Sequence, residues 1–157
     1  YTFSGMGRRF QKVCEFDGIK IYDDYAHHPS EIRTTLKSVK EAVKSNYRIV
    51  EIFQPHRYTR LKGLWNDFLK AFDNADLLIV TDVYPAGETE IDGINSKIFS
   101  EYVENKNVIY VKGSMEDCAK QIFPLLKNND IVLTMGAGSI TKLGKLIEKE
   151  SNRVKVK

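Results

Sequence analysis

The sequence predicts an α/β fold: a mainly parallel sheet flanked by helices and entered through an N-terminal β-hairpin. Three observations carry that prediction. After the opening segments, short apolar stretches of strand length alternate with stretches of helical periodicity. The stretch "ADLLIVTDV" is nearly all apolar, as a parallel strand covered on both faces requires. The first two strand-like segments, "FQKVCEF" and "IKIYDD", are separated only by Asp17-Gly18, which can supply the positive φ values of a tight hairpin.

The elements follow in order. From Pro29 the spacing changes to that of a helix, with Ile32, Leu36, Val39 and Val43 at helical intervals and proline admitted in the first turn. "YRIVEIF" reads as a strand of mixed burial. "TRLKGLWNDFLKAF" reads as a single amphipathic helix with Leu61, Leu64, Trp65, Phe68 and Phe72 on one face. After "ADLLIVTDV" come a helix over Ser96 to Glu104 and the strand "NVIYV". Ser114 is placed to cap the helix "MEDCAKQIFPLL", which Pro124 must kink or shorten. The strand "DIVLTM" and the helix "ITKLGKLIEKE" complete a single domain over residues 1–157, without internal repeats or low-complexity segments.

Composition narrows the function classes. A chain of 157 residues, 42% hydrophobic and 29% charged, describes a soluble globular domain with a full core. The net charge of +3 is too small and too dispersed to argue for nucleic acid, and its one local concentration, "RVKVK", reads as a frayed terminus. Cys14 and Cys118 lie far apart in apolar contexts and read as reduced thiols of a cytoplasmic protein, not as a disulfide or zinc site. No apolar run approaches the ~18 residues that would span a membrane. The chain opens in mid-pattern, without an initiator methionine, and is expected to be a piece of a longer protein.

Chemistry concentrates between the elements. "DDYAHHP", "QPHRYTR", "TDVYPAGE" and "TMGAGS" each follow a strand, and in a parallel sheet the carboxyl ends of strands share one edge, where such folds bind ligands. His27, His28 and His56 all fall in these segments. Burying two carboxylates and two imidazoles without partners would cost several kcal/mol each, so "DDYAHHP" is a poor piece of core. Arg57 and Arg60, three residues apart near a helix start, can lie on one face, and their forks suit a carboxylate or a phosphate. The alternative is a solvated helix start with surface ion pairs. Asp24 is a candidate acceptor for a sugar hydroxyl and His27 a candidate donor to an anion. His28 is open between a backbone-bonded helix start and a functional group. An intrinsic metal site is not expected, because adjacent residues of an extended segment point to opposite sides. The glycines of "TMGAGSI" leave backbone amides that could receive an anion. "GMGRRF" contributes Arg8 and Arg9. No "GxxxxGK[ST]" occurs, so any ATP-phosphate cradle would lie on another part of the protein.

In this order, "GMGRRF", "DDYAHHP", "FQPHRYTR", "DVYPAGE" and "GAGSI" closely resemble the C-terminal domain of the Mur ligases of bacterial peptidoglycan synthesis, and nearly the whole chain is covered. Within that family they resemble the branch that adds L-alanine to UDP-N-acetylmuramate. The resemblance implies a Rossmann-like domain that closes over an N-terminal domain holding the UDP-sugar and a central ATPase domain. It implies ATP and Mg2+, held mainly by those other domains, and an acyl-phosphate route to the amide. It places Arg9 and Asp24 on the ATP side, and His27, Arg57 and Arg60 at the carboxylate of alanine or of the product, with no catalytic residue and no metal ligand in this chain. Glu88 is open between a hinge and a contact behind the binding residues, and Tyr25 faces away by strand alternation. Ala26 stands where glycine is also common in the family. Two alternatives are a murein-peptide ligase acting on the same sugar carboxylate, which shares "DD-aromatic-AHHP" but is expected to differ at "HRYTR", and a non-catalytic nucleotide- or anion-binding module.

Overall fold

The computed structural model describes residues 10–156. Arg8 and Arg9 lie outside the described residues. The hairpin forms as its turn residues dictate: β1 (Phe10–Phe16) and β2 (Ile19–Asp24) pair antiparallel through Asp17 at φ 50° and Gly18 at φ 74°. A side chain at Gly18 would be strained by its φ, and it would have to displace the Asn128 side chain, whose Oδ1 lies 1.7 Å from where a Cβ would sit.

Four further strands are β3 (Arg48–Phe53), β4 (Leu77–Val80), β5 (Val108–Tyr110) and β6 (Asp130–Met135). The order across the sheet is β1-β2-β6-β3-β4-β5, and every pairing after the hairpin is parallel. The register aligns Asp24, Met135, Phe53, Val80 and Tyr110 in one row at the carboxyl ends. The segments that leave this row are the ones in which the polar motifs cluster.

Apolar side chains cover both faces. One face buries Ile32, Leu36 and Val39 of α1 (Pro29–Ala42) with Leu61, Phe68 and Phe99, the last three from α2 (Tyr58–Gly63), α3 (Trp65–Leu69) and α4 (Ser96–Tyr102). The other buries Met115, Cys118 and Ile122 of α5 (Met115–Ile122) with Leu143 and Ile147 of α6 (Leu143–Val156). Both cysteines are free and buried, and that burial pushes each thiol up to about 11, away from reactivity. Among the described residues no helix is long and apolar enough to cross a membrane.

The structure corrects four local expectations. The segment 59–72 is not one helix. It breaks at Leu64 (φ −116°, ψ 24°), just after Gly63, a weak helix former, while Trp65 and Phe68 still reach Phe99 in the same core. β3 is buried almost throughout instead of mixed, because β6 inserts beside it and places it inside the sheet. α4 ends at Tyr102, two residues early, where Val103 turns extended and Glu104 N bonds Leu69 O. The "RVKVK" tail is helical to Val156, and two of its charges are paired: Arg153 with Glu150 at 2.9 Å and Lys155 with Asp17 at 3.0 Å. Other expectations hold. Ser114 caps α5 in a capping box with Asp117, and Pro124 ends that helix in a 3-10 turn over Phe123–Leu125.

Candidate functional site

At the end of β2 the two carboxylates part company, as strand alternation requires. Asp23 accepts from Thr134 Oγ1 at 2.6 Å and Thr141 Oγ1 at 3.2 Å. Asp24, 2% exposed, accepts from Ala26 N through Oδ1 at 2.8 Å and so shapes the turn that follows. Tyr25 stands out into solvent, edge-on to the His27 ring at 5.4 Å. His27 Nδ1 lies 3.0 Å from Tyr25 O; since a carbonyl only accepts, Nδ1 carries the proton. Neutral His27 therefore presents Nε2 as an acceptor, and it donates to an anion from Nε2 only as the imidazolium. His28 takes the structural role that the sequence leaves open. It is the N-cap of α1, with Nδ1 accepting from Ser30 N at 3.3 Å and its own N–H bonded to Glu31 Oε1 at 3.2 Å.

The segment after β3 brings in the arginines. Arg57 is not a helical residue, contrary to the expected pairing along one helix face. It precedes α2 at φ 73°, ψ 137°, with its N–H donated to Tyr84 O at 2.8 Å. Arg60 folds back one turn onto His56, with Nη1 3.0 Å from Nδ1 and 3.3 Å from the carbonyl oxygen. Arg60 thus packs onto His56, and Arg57 follows it in the chain, near enough for its charge to act on the ring. A guanidinium only donates, so His56 Nδ1 is the bare nitrogen and Nε2 carries the hydrogen. Burial, then the charges of Arg60, His27 and Arg57, hold the His56 pKa below its ordinary value. The His27 and His56 rings are 6.1 Å apart, so the loops after β2 and β3 meet here.

The loop after β4 completes the arrangement. Tyr84 N bonds Pro55 O at 2.8 Å, and the Tyr84 ring stacks on His56 at 5.5 Å with 16° between planes. Gly138, in the loop after β6, approaches the same ring so closely that a Cβ would lie 2.5 Å from Tyr84 Cγ. Gln54 ties that loop down by donating to Ser139 Oγ at 3.0 Å and accepting from Ile140 N at 3.2 Å. The amide of Gly136 is likewise directed at Asp24 O, so these two amides are already engaged within the fold. Glu88 accepts from both the N–H and the hydroxyl of Thr59, which depresses its pKa. Sequence reasoning sets His56 in a loop motif without assigning it a binding role, does not single out Tyr84, and leaves Glu88 open between a hinge and a contact behind the binding residues. His56 is signalled by its place inside the loop motif "QPHRYTR"; nothing local announces that Tyr84 or Glu88 lies against residues so far back in the chain.

Arg57 and Arg60, with His27 and His56 beside them, gather at the carboxyl edge of the sheet, where the guanidinium groups are suited to a carboxylate or phosphate. A concavity at the opposite edge, among Tyr47, Arg48, Asp76 and Asn129, is less suited. Its guanidinium is spent in a two-pronged pair with Asp130 at 2.9 and 2.8 Å and on Leu125 O. Among the described residues no group of three His, Cys, Asp or Glu side chains could hold a metal ion.

Fold and site together define a class: a mainly parallel α/β domain whose arginines and histidines gather at the carboxyl ends of its strands, the edge where such folds bind ligands. Residues 8–138 match the Mur ligase, glutamate ligase domain, and the chain belongs to that family. A UDP-N-acetylmuramate–L-alanine ligase of Geotalea daltonii is 45% identical over 152 residues, covering 94% of this chain and 32% of that protein. One from Brachyspira hyodysenteriae is 46% identical over 144 residues, covering 90% and 30%. The chain therefore spans about a third of the length of these curated relatives. Among solved structures, the UDP-N-acetylmuramate-alanine ligase MurC of Thermotoga maritima superposes with a TM-score of 0.71 at 31% identity, over 93% of this chain and 30% of that one. A murein peptide ligase from Psychrobacter arcticus shares the fold, with a TM-score of 0.67 at 22% identity over 90% of this chain and 29% of that one.

Proposed function

We propose that this chain is the C-terminal, ligand-closing domain of an ATP-dependent ligase that joins L-alanine to UDP-N-acetylmuramate in peptidoglycan synthesis, in the cytoplasm. The observation that carries the reading is that Arg60 is bonded to His56, that the charge of the neighbouring Arg57 acts on the same ring, and that the His27 ring lies 6.1 Å away. The two relatives above, over 40% identical, support the choice of substrate.

In this reading a phosphoryl group from ATP activates the sugar carboxylate as an acyl phosphate. The alanine amine attacks the acyl carbon, and phosphate leaves from the tetrahedral intermediate. This domain's part is to hold the amino acid. A zwitterion must be gripped by its carboxylate while its amine stays free to lose a proton and attack. Permanently charged guanidinium forks meet that need without competing as bases. Arg57 and Arg60 supply the forks, and His27 adds a donor when protonated. Arg9 and Asp24 are assigned to the nucleotide side, Asp24 toward a ribose hydroxyl. Among the described residues no three His, Cys, Asp or Glu side chains gather to hold a metal ion, and no ligand of Mg2+ is assigned here. The UDP-sugar and the ATP phosphates belong to partner N-terminal and central domains of the complete enzyme, and this chain alone is expected to show no ligase turnover.

The test is made in the complete ligase. Arg57→Lys or Arg60→Lys keeps the charge but loses the fork, and kcat/KM for alanine should drop about 10- to 100-fold, roughly 1.4–2.7 kcal/mol, with little change in ATP binding. Alaninamide, which lacks the carboxylate, should be a poor substrate and nearly indifferent to both changes. Equal losses on alanine and alaninamide would mean that these arginines do not read the carboxylate.

A further inference from the structure

Arg57 is held in a conformation that non-glycine residues rarely adopt, φ 73° with ψ 137°. Such a backbone persists only where the surroundings over-determine it. Both of its flanks are tied to the loop after β4. Arg57's own N–H is donated to Tyr84 O at 2.8 Å, and two residues on, Thr59 gives its N–H at 3.1 Å and its hydroxyl to the Glu88 carboxylate. α2 needs that outside help. A helix start leaves N–H groups without intrahelical partners, and the N-cap Arg57 supplies no side-chain acceptor. A sharp bend in the loop delivers the carboxylate to Thr59, since Ala86 at φ 51° and Gly87 at φ 87° are consecutive left-handed residues immediately before Glu88.

We propose that Glu88 is a positioning residue, which caps α2 through Thr59, holds Arg57 in its left-handed conformation and so sets where the two arginines of the candidate site stand. The nature of the ligand rests on the function proposed above; the positioning does not. Glu88 is poorly suited to touch that ligand itself. Each of its oxygens is engaged with Thr59, and a carboxylate would repel the anion that the arginines attract. Its effect is transmitted instead through α2, which carries Arg60, and through the backbone of Arg57.

Two measurements separate the positioning from the function. In crystals of Glu88→Ala, Arg57 should leave the left-handed region; Arg57 still near φ 73° would overturn the proposal whatever the ligand is. In the complete ligase, Glu88→Ala and Thr59→Val should raise the KM for alanine about tenfold and about threefold respectively, with the KM for ATP unchanged. Thr59→Ser, which keeps both donors, should behave as wild type. Glu88→Gln, which keeps a neutral acceptor for the Thr59 amide, should recover part of the loss. Equal rises in both KM values would show a general loss of structure and overturn the proposal. So would an alanine KM unmoved in Glu88→Ala but raised in Arg57→Lys. If Arg57→Lys and Arg60→Lys leave alanine kinetics untouched, the functional reading fails, and the φ of Arg57 in Glu88→Ala still decides the positioning.

Discussion

Arg60 and His56 form a donor–acceptor pair across one turn, with the guanidinium Nη1 3.0 Å from the imidazole Nδ1. The pair fixes the tautomer of His56 and disfavours its protonation, since the imidazolium would have to give up the bond and face two guanidinium groups. Nitrogen NMR should therefore find His56 as the Nε2–H tautomer and neutral to a pH below its ordinary 6.5. The unfolded chain takes up this proton first as pH falls. The contribution of His56 to stability is thus present above the unfolded pKa and lost as pH falls through the depressed folded one. In His56→Asn the side-chain oxygen takes the place of Nδ1, and urea midpoints measured below pH 6.5 should lose this part of their pH dependence.

Arg57 at φ 73° predicts a trade between stability and binding. Left-handed backbone costs a non-glycine residue about 1–3 kcal/mol, whereas glycine adopts it freely. After the extra entropy of glycine in the unfolded chain, Arg57→Gly should leave stability unchanged or raise it by up to about 2 kcal/mol. Alanine kcat/KM in the complete ligase should fall at least about tenfold for want of the fork. A denaturation midpoint that drops in Arg57→Gly would show that the arginine side chain supports the fold.

Gly138 and Tyr84 should behave as one unit. A Cβ at residue 138 would lie 2.5 Å from Tyr84 Cγ, and the half-exposed ring can swing outward at the expense of its stack on His56. Gly138→Ala is expected to cost under about 1 kcal/mol of stability but to lower alanine kcat/KM several-fold. In a Tyr84→Ala background the same change should cost nothing further. A double-mutant cycle with additive losses would refute the coupling.

Glu51 is a core residue that weakens the fold as pH rises. It sits fully buried on the face it shares with Ile49 and Phe53, and neither of its carboxyl oxygens has a hydrogen-bond partner among the described residues. Burial, and secondarily the charge of Asp24, raises its pKa well above the ordinary value, so the acid is held neutral in the fold. Its contribution is intact below the unfolded value of 4.5 and is lost as pH rises toward the folded one. Glu51→Met, of similar volume, should gain roughly 1–3 kcal/mol at neutral pH and flatten the decline in stability between pH 4.5 and neutral pH. Denaturant midpoints at these two pH values for wild type and variant provide the check; a destabilised Met variant would mean that the carboxyl is partnered.

Much of the molecule is legible in the order of its residues. Asp17-Gly18 announces the hairpin because few residues tolerate its backbone angles, and Ser114 and Pro124 bracket α5 for equally local reasons. The convergence of "DDYAHHP", "QPHRYTR", "TDVYPAGE" and "TMGAGS" follows once the strands are read as parallel, since parallel strands must deliver their carboxyl ends to one edge. The break at Leu64 is not legible, because the apolar spacing of 61–72 fits a straight helix and a broken one equally well.

By itself the sequence determined the kind of elements, their faces, and that arginine and histidine would gather at one end, since these depend on side-chain periodicity and backbone preferences within a few residues. Tertiary structure alone decided that β6 would lie between β2 and β3, that Glu51 would be sealed in the core, and that Glu88 would cap a helix through Thr59, 29 residues back in the chain. The physical reason is that such pairings are chosen by burying both faces of the whole sheet at once. No local preference of residues 54–60 or 81–88 contains that information.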